Sequence, residues 1–375
     1  MTGGADEPDI TALRSAFIEL AHCVEPADSA VGRLVERRGA PQTIHMVRGG
    51  STGLRHGEGI GARLGELRAV DAERRAAKAG ARIVTRVDSE WPTQLGDLGH
   101  EEPFALWVTG AADLRLLALR SVAVVGARAC TAYGEEVARG WSAELAAQGW
   151  CVVSGGAYGI DAAAHRGALA AGGSSVCVLA GGVDVPYPRA HDALIARIAD
   201  EGLVISETPL GESVRRQRFL SRNRIIAAMT RATLVVEAAV RSGTGATARS
   251  AHRMNRPVLA VPGPVTSPAS AGCHRMIRDA EAILACEPSE VMDLLDFARR
   301  AEHEPSTSTV RCARDQLGTR ECRVLDAFPS RGMVGPDRLL AGAGLASGDV
   351  WAAVGILESA GWIEAADGGW RLVRR

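Results

Sequence analysis

The chain has 375 residues, 46% of them hydrophobic, and a formal net charge of −1 at pH 7, enough apolar material for two or three domains with at least one full-sized core. No uncharged apolar run of about 18 residues offers a membrane span, and the opening MTGGADEPDI has neither a basic nor an apolar leader region, so no membrane partner and a cytoplasmic location are expected. The eight cysteines include no CxxC pair, which argues against a zinc or thiol-exchange site and for small buried side chains in a reducing compartment.

Residues 10 to 47 carry helical spacing at Leu13, Phe17 and Leu20, then at Val31, Leu34 and Val35 after a turn at Pro26. A second amphipathic run covers 62 to 79. The stretch RGGSTGLRHGEGIG between them is glycine-rich and polar and reads as a loop. From about residue 121 the pattern changes to short apolar runs alternating with helical segments: SVAVVG, WCVVSG, SSVCVLAGG, LVISE, ATLVVEA, PVLAVPG and AILAC. That alternation predicts an α/β fold with a parallel sheet buried on both faces, whose ligand gathers at the carboxyl ends of the strands.

Three loops at those strand ends carry the chemistry. VAVVGARACTAYG leads from a strand into a helix near Ala132, and Arg128 adds a planar donor fork to the free N–H groups of the helix start, a combination that suits phosphate. VVSGGAYGIDAAAHRGAL repeats the arrangement with Ser154, Gly155 and Gly156, whose small size allows close backbone approach to a ligand. Asp161 and His165, four residues apart, read as a structural pair on one helical face. ATLVVEAAVRSGTGATARSAH places Glu237 near a strand end and Ser242, Gly243 and Thr244 at a helix start, which serves phosphate or sugar binding or an ordinary capped helix.

The segment RRQRFLSRNRII, 215 to 226, holds five arginines and no acid. Ser221 is the expected N-cap of the helix NRIIAAMTRA, which puts Arg222 and Arg224 near a helix start, where a cation is unfavourable unless an anion sits between them. Phe219 just outside is placed to stack on a nucleobase. The neighbouring Asn223 belongs to the same motif. Neither a Walker A sequence, a GxSxG elbow, an HExxH nor a forced carboxylate pair appears, so no catalytic residue, metal ligand or cofactor is predicted.

After a polar linker, 298 to 316, the segments LGTRECRVLDAF, VGPDRLLAGAGLASGDVWAAVGILESAGWI and EAADGGWRLV predict three helices and a terminal hairpin, the order of a winged helix. Seven arginines face seven acids over 317 to 375, which leaves this domain without a footprint for duplex DNA.

The ordered motifs VVGARACTAYG, VSGGAYGIDAAAHRGAL, GGVDVPYP, ISETPLG, RFLSRNRII, VVEA with SGTGAT, and AVPGPV with SAGCHRMI closely resemble the DNA-processing protein A family, DprA, also called Smf. The resemblance implies a helical (SAM-like) N-terminal domain at 1–88, an extended Rossmann-like domain at 89–297 and a C-terminal winged-helix domain at 317–375. It further implies a non-catalytic, homodimeric protein that binds single-stranded DNA and helps place the RecA recombinase on it in natural transformation or related recombination. By motif, Arg128, the Ser154–Gly156 turn, Phe219, Arg222, Asn223 and Arg224 would line the DNA pocket. Tyr158 stands where the family usually has arginine, and any lysine contact of relatives is either served by arginine, with Arg241 or Arg256 as candidates, or missing. The competing reading is a phosphoribohydrolase-like nucleotide N-glycosidase with Glu237 as its carboxylate, although SGTGATARS lacks the glutamate of that motif.

Overall fold

Alternation between the two faces of a strand organises this molecule, a computed structural model of which describes residues 9–65, 67–240, 242–295, 317–329, 333–366 and 368–373. The chain divides into two compact units, Met1–Arg300 and Ala301–Arg375. The expected linker at 298–316 lies outside the described residues.

The first unit begins with five helices, α1 (Ile10–Cys23), α2 (Ser29–Arg38), α3 (Ala40–Arg48), α4 (Gly57–Leu64) and α5 (Ala69–Lys78). Helix α4 occupies the end of the stretch read as loop. Its three glycines weaken it, but Ile60 and Leu64 are fully buried, so packing overrides propensity. Strands β1 (Ala81–Thr85) and β2 (Ala105–Thr109) follow; then come α6 (Leu114–Leu119), β3 (Ser121–Val125), α7 (Ala132–Ala147), β4 (Cys151–Ser154), α8 (Ile160–Ala170), β5 (Ser175–Val178), α9 (Asp192–Glu201) and β6 (Leu203–Ser206). The unit closes with α10 (Arg216–Met229), β7 (Thr233–Val235), α11 (Thr244–Arg253), β8 (Val258–Ala260), α12 (Ala271–Arg278), β9 (Ile283–Leu284) and α13 (Pro288–Leu295).

All nine strands form one sheet in the order β1-β2-β6-β5-β4-β3-β7-β8-β9. From β6 to β9 every pairing is parallel, whereas β1 and β2 pair antiparallel with each other and β2 with β6. Those two strands escaped the sequence reading, which took its strands only from 121 onward. Ala123 and Val125 of β3 enter a core shared with α10, α11 and α12, while Val122 and Val124 enter the opposite core with α7 and α8. This is why the parallel strands read as unbroken apolar runs. The N-terminal helices share their core with Ala81 and Ile83 of β1 and Ala105 and Trp107 of β2.

The strand order fixes where a ligand can enter. The chain runs from β3 outward through β4, β5 and β6, then returns to place β7 on the other side of β3. The loops after β3 and β7 therefore diverge and leave a crevice at the switch point. The second unit holds α14 (Thr319–Asp326), β10 (Met333–Val334), α15 (Pro336–Ala343), α16 (Ser347–Ser359), β11 (Ile363–Ala366) and β12 (Gly369–Leu372) around Val324, Leu339, Val350 and Leu357. Its three helices and terminal hairpin follow the predicted order, with β10 added beside β12.

Candidate nucleic-acid interface

At the switch point lies a cavity of about 970 Å³, walled by residues after β3, by α10, by the β7–α11 loop and by α12. Gly126 ends β3 here. A Cβ at that position would lie 2.5 Å from Ile160 Cγ1 and 2.9 Å from the Glu237 carbonyl, so a side chain would push the β3–α7 loop off the start of α8. Arg128 lies beyond it, exposed, with its guanidinium 4.9 Å from the centroid of the Phe219 ring. Tyr187 meets the same ring edge-on at 5.7 Å.

Helix α10 begins at Arg216, with Arg215 in the N-cap position, six residues before the expected cap at Ser221. Ser221 is no cap; its hydroxyl donates to the Arg218 carbonyl inside the helix. Helical spacing then distributes the five arginines to three destinations. Arg215 and Arg218 pair with Glu25 from the α1–α2 turn, and Arg218 also with Glu212. Arg216, Phe219, Arg222 and Asn223 line the cavity. Arg224 turns away from it, almost completely buried, and its Nη2 donates to Glu207 Oε1 at 2.7 Å. Arg224, expected at the phosphate, is placed in an internal ion pair and outside the cavity lining, because two helical positions carry it about 200° round the axis from Arg222.

Arg222 forms the floor. Its Nη1 donates to the Gly155 carbonyl at 2.6 Å and to the Val178 carbonyl, and its Nε to Asn223 Oδ1 at 3.2 Å. Burial lowers its pKa from the usual arginine value, with Asp161 acting in the opposite sense. Asp161, also in the lining, has its carboxyl pushed up by burial against the pull of Arg222 and the Ala157 N–H. Ser154, Gly155 and Gly156 do not line the cavity. The Ser154 hydroxyl donates to the Val124 carbonyl at 2.6 Å, and the two glycine carbonyls accept from Arg222 and from His191 Nδ1. They position the floor and do not themselves present it. Ser242, Gly243 and Thr244 do line the cavity, with Asn223 Nδ2 donating to the Gly243 carbonyl at 3.4 Å.

Three arginines that sequence reasoning left without a contact or passed over share this cavity: Arg216, Arg249 on α11 and Arg275 on α12. The available signal was position, since Arg249 and Arg275 both lie in helices that follow strand ends. Among the described residues, Arg128, Arg216, Arg249 and Arg275 have no carboxylate within ion-pair distance.

Other expectations resolve differently. His165 does not pair with Asp161; its Nδ1 lies 2.7 Å from Ser175 Oγ, which donates to the Val152 carbonyl, and burial pulls its pKa down to about 3. The helix carries its ring past the Asp161 side toward β5. Arg256 closes the carboxyl end of α10 by donating to the carbonyls of Ala227, Ala228 and Thr230, and it pairs with Asp97, so it serves no cavity contact. Arg241 lies outside the described residues. Glu237 is buried, its Oε1 accepting from the Thr131 hydroxyl at 2.6 Å and its Oε2 from the Thr131 N–H at 2.9 Å. No described cluster of His, Cys, Asp or Glu could hold a metal ion.

The sequence profile described as "DNA recombination-mediator protein A" matches residues 82–296. The chain belongs to this family, DprA/Smf. Over 370 residues it is 42% identical to a putative DNA processing protein DprA of Mycobacterium tuberculosis, covering 96% of this chain and 94% of that protein. The X-ray structure of DprA from Streptococcus pneumoniae superposes with a TM-score of 0.62 at 29% identity, covering 74% of this chain and 95% of that one. DprA from Helicobacter pylori, whose structure is described for its single-stranded DNA binding mode, shares the fold at a TM-score of 0.52 and 24% identity, over 58% of this chain and 96% of that one. The DprA profile spans the whole lining of the cavity, from Val125 to Met276. Among the described residues no single helix is long and apolar enough to cross a membrane.

Proposed function

We propose that this DprA-family chain binds single-stranded DNA in the switch-point cavity and acts without catalysis as a recombination mediator. The observation that carries this reading is the charge of the lining: among the described residues, Arg128, Arg216, Arg222, Arg249 and Arg275 stand against Asp161 alone, in a chain of net charge −1. Cations concentrated in a crevice of a neutral protein focus attraction for a polyanion at one place. Phe219 in the same wall supplies a ring for a base, and stacking tolerates any sequence. The H. pylori relative, described for its binding of single strands, supports the same ligand.

Arg128 already covers one face of Phe219, so a base stacks either on the other face or after Arg128 swings toward a phosphate. The non-catalytic reading is supported by Glu237, whose two oxygens are both engaged by Thr131; the N-glycosidase alternative would need that carboxylate free in the cavity. RecA as partner, homodimer formation and a cytoplasmic location belong to the same proposal, on the ground of the family resemblance alone, and with them a role in natural transformation or related DNA processing.

The test is fluorescence anisotropy of a labelled oligothymidylate and of a duplex of equal length across a salt series. Binding preferred for the single strand and weakening with salt supports the proposal; equal or salt-independent binding overturns it. Loading of RecA onto DNA already coated with single-strand-binding protein tests the mediator role. Release of free base from nucleotides, lost in Glu237→Ala, would establish the glycosidase instead.

A further inference from the structure

Two of the cavity's cations stand apart from the residues that carry the family motifs' expected contacts. Arg128 leaves the end of β3, where its loop meets the β4–α8 turn through the Ile160 N–H and the Ala127 carbonyl, and Arg216 opens α10. Arg249 and Arg275 come from α11 and α12, which pack on β7 and β8. β7 and β8 lie one and two strands from β3, so the supports of the two pairs are separated by one to two inter-strand spacings of about 4.8 Å, roughly 5–10 Å. That exceeds the ~3.4 Å axial rise per nucleotide along a DNA strand, so the two pairs are set for different phosphates.

The placement of Arg249 adds an independent reason. Its Nη1 lies 3.1 Å from where a Cβ on Gly245 would be, so the side chain folds back over the glycine toward the start of α11. There it meets the N–H end of a helix whose N-cap, Gly243, contributes no side-chain oxygen. A guanidinium laid against the positive end of a helix, with no carboxylate nearby among the described residues, is electrostatically unfavourable until an anion joins both. Arg275, half-buried in the last turn of α12, faces the same cavity.

We infer that Arg249 and Arg275 form a second phosphate-holding rim, so that the bound strand crosses the cavity from the Arg128–Arg216 side to the β8 side and is held at both ends of that crossing. This inference rests on the single-strand reading of the cavity. It assigns a direction of passage and a contact pair that the motif residues alone do not supply.

The experiment compares the salt dependence of oligothymidylate binding in the wild type, in Arg249→Ala with Arg275→Ala, and in Arg128→Ala with Arg216→Ala. Each lost phosphate contact on a single strand removes about 0.7 from the slope of log K against log salt. The Arg249/Arg275 variant is expected to lose about that amount, and Arg249→Lys with Arg275→Lys to regain it. Arg249→Gln, at an exposed position, gives the same readout should the double variant fold poorly. A wild-type slope in Arg249→Gln and the double alanine variant, with a reduced slope in Arg128/Arg216, overturns the second rim and leaves the cavity reading standing. Absence of salt-dependent binding in the wild type removes the cavity reading itself.

Discussion

Arg222 Nη1 sits 2.6 Å from the Gly155 carbonyl, and a Cβ on Gly155 would fall 2.2 Å from that same nitrogen. The glycine of the SGG turn is therefore required by an arginine 67 residues away, and the motif residues of β4 and α10 work as one unit. Gly155→Ala is expected to push the Arg222 guanidinium off its Gly155 and Val178 carbonyl partners and into the cavity it floors. Overpacking of this kind costs about 1–3 kcal/mol, and the cavity floor should shift with it. Urea unfolding should show the loss of stability, and oligothymidylate binding should weaken in the same variant. Wild-type values of both would show that the floor yields without cost.

Arg224 and Glu207 make a second test, this time of a residue that the sequence assigned to DNA. Their side chains are 3% and 12% exposed. Removing one partner of a buried pair leaves the other charge uncompensated, which costs about 3–5 kcal/mol. Arg224→Ala is thus expected to destabilise the fold strongly, whereas the salt slope of DNA binding stays at its wild-type value because Arg224 does not line the cavity. A reduced slope with unchanged stability would return Arg224 to the ligand.

His165 makes stability depend on pH. Its folded pKa is depressed from the ordinary 6.5 to about 3 by burial first and by nearby cationic Arg222 second. Between those values the unfolded chain binds the extra proton, so stability rises with pH there. The contribution is complete above about 6.5 and is lost as pH falls toward 3. Asp161 acts in the opposite direction, since its carboxyl is raised by burial and favours the folded state at pH below the ordinary carboxylate range. His165→Gln should flatten the decline of stability between pH 6.5 and 4 in urea titrations. An unchanged decline would place its origin elsewhere.

Because six of them are buried on both faces and need no polar alternation, while β9 is apolar although both of its residues are exposed, apolar runs made the seven parallel strands legible. Strands β1 and β2 were not, since their antiparallel pairing at the sheet margin is joined by a long irregular connection and not by a helix of the βα kind. In the cavity, the loop residues Arg128, Ser242, Gly243 and Thr244 were found from their positions after strands. Which face of a helix meets the cavity was not legible: residues 222 and 224 lie about 200° apart round α10, so only one of them could face it, and the His165 ring, placed by spacing on the Asp161 side of α8, reaches Ser175 of β5. Arg249 and Arg275 were passed over because a cation within a helix reads as solvated surface until the partner elements are in place.

Phe219 and Arg128 separate stacking from charge. The guanidinium lies 4.9 Å from the ring centroid, near enough for the ring's negative face to hold the cation, a contact worth about 0.5–1 kcal/mol at exposed sites. If a base stacks on Phe219, Phe219→Ala should weaken oligothymidylate binding by about 1–3 kcal/mol while the salt slope stays constant, because no phosphate contact is removed. Arg128→Ala should instead lower the slope by about 0.7 and leave the ring uncovered. If the ring mainly aims Arg128 at a phosphate, Phe219→Ala will lower the slope by the same amount, and the double variant will add nothing further. Non-additivity of the two substitutions, measured as a double-mutant cycle at several salt concentrations, therefore decides whether Phe219 binds the strand or positions the arginine that does.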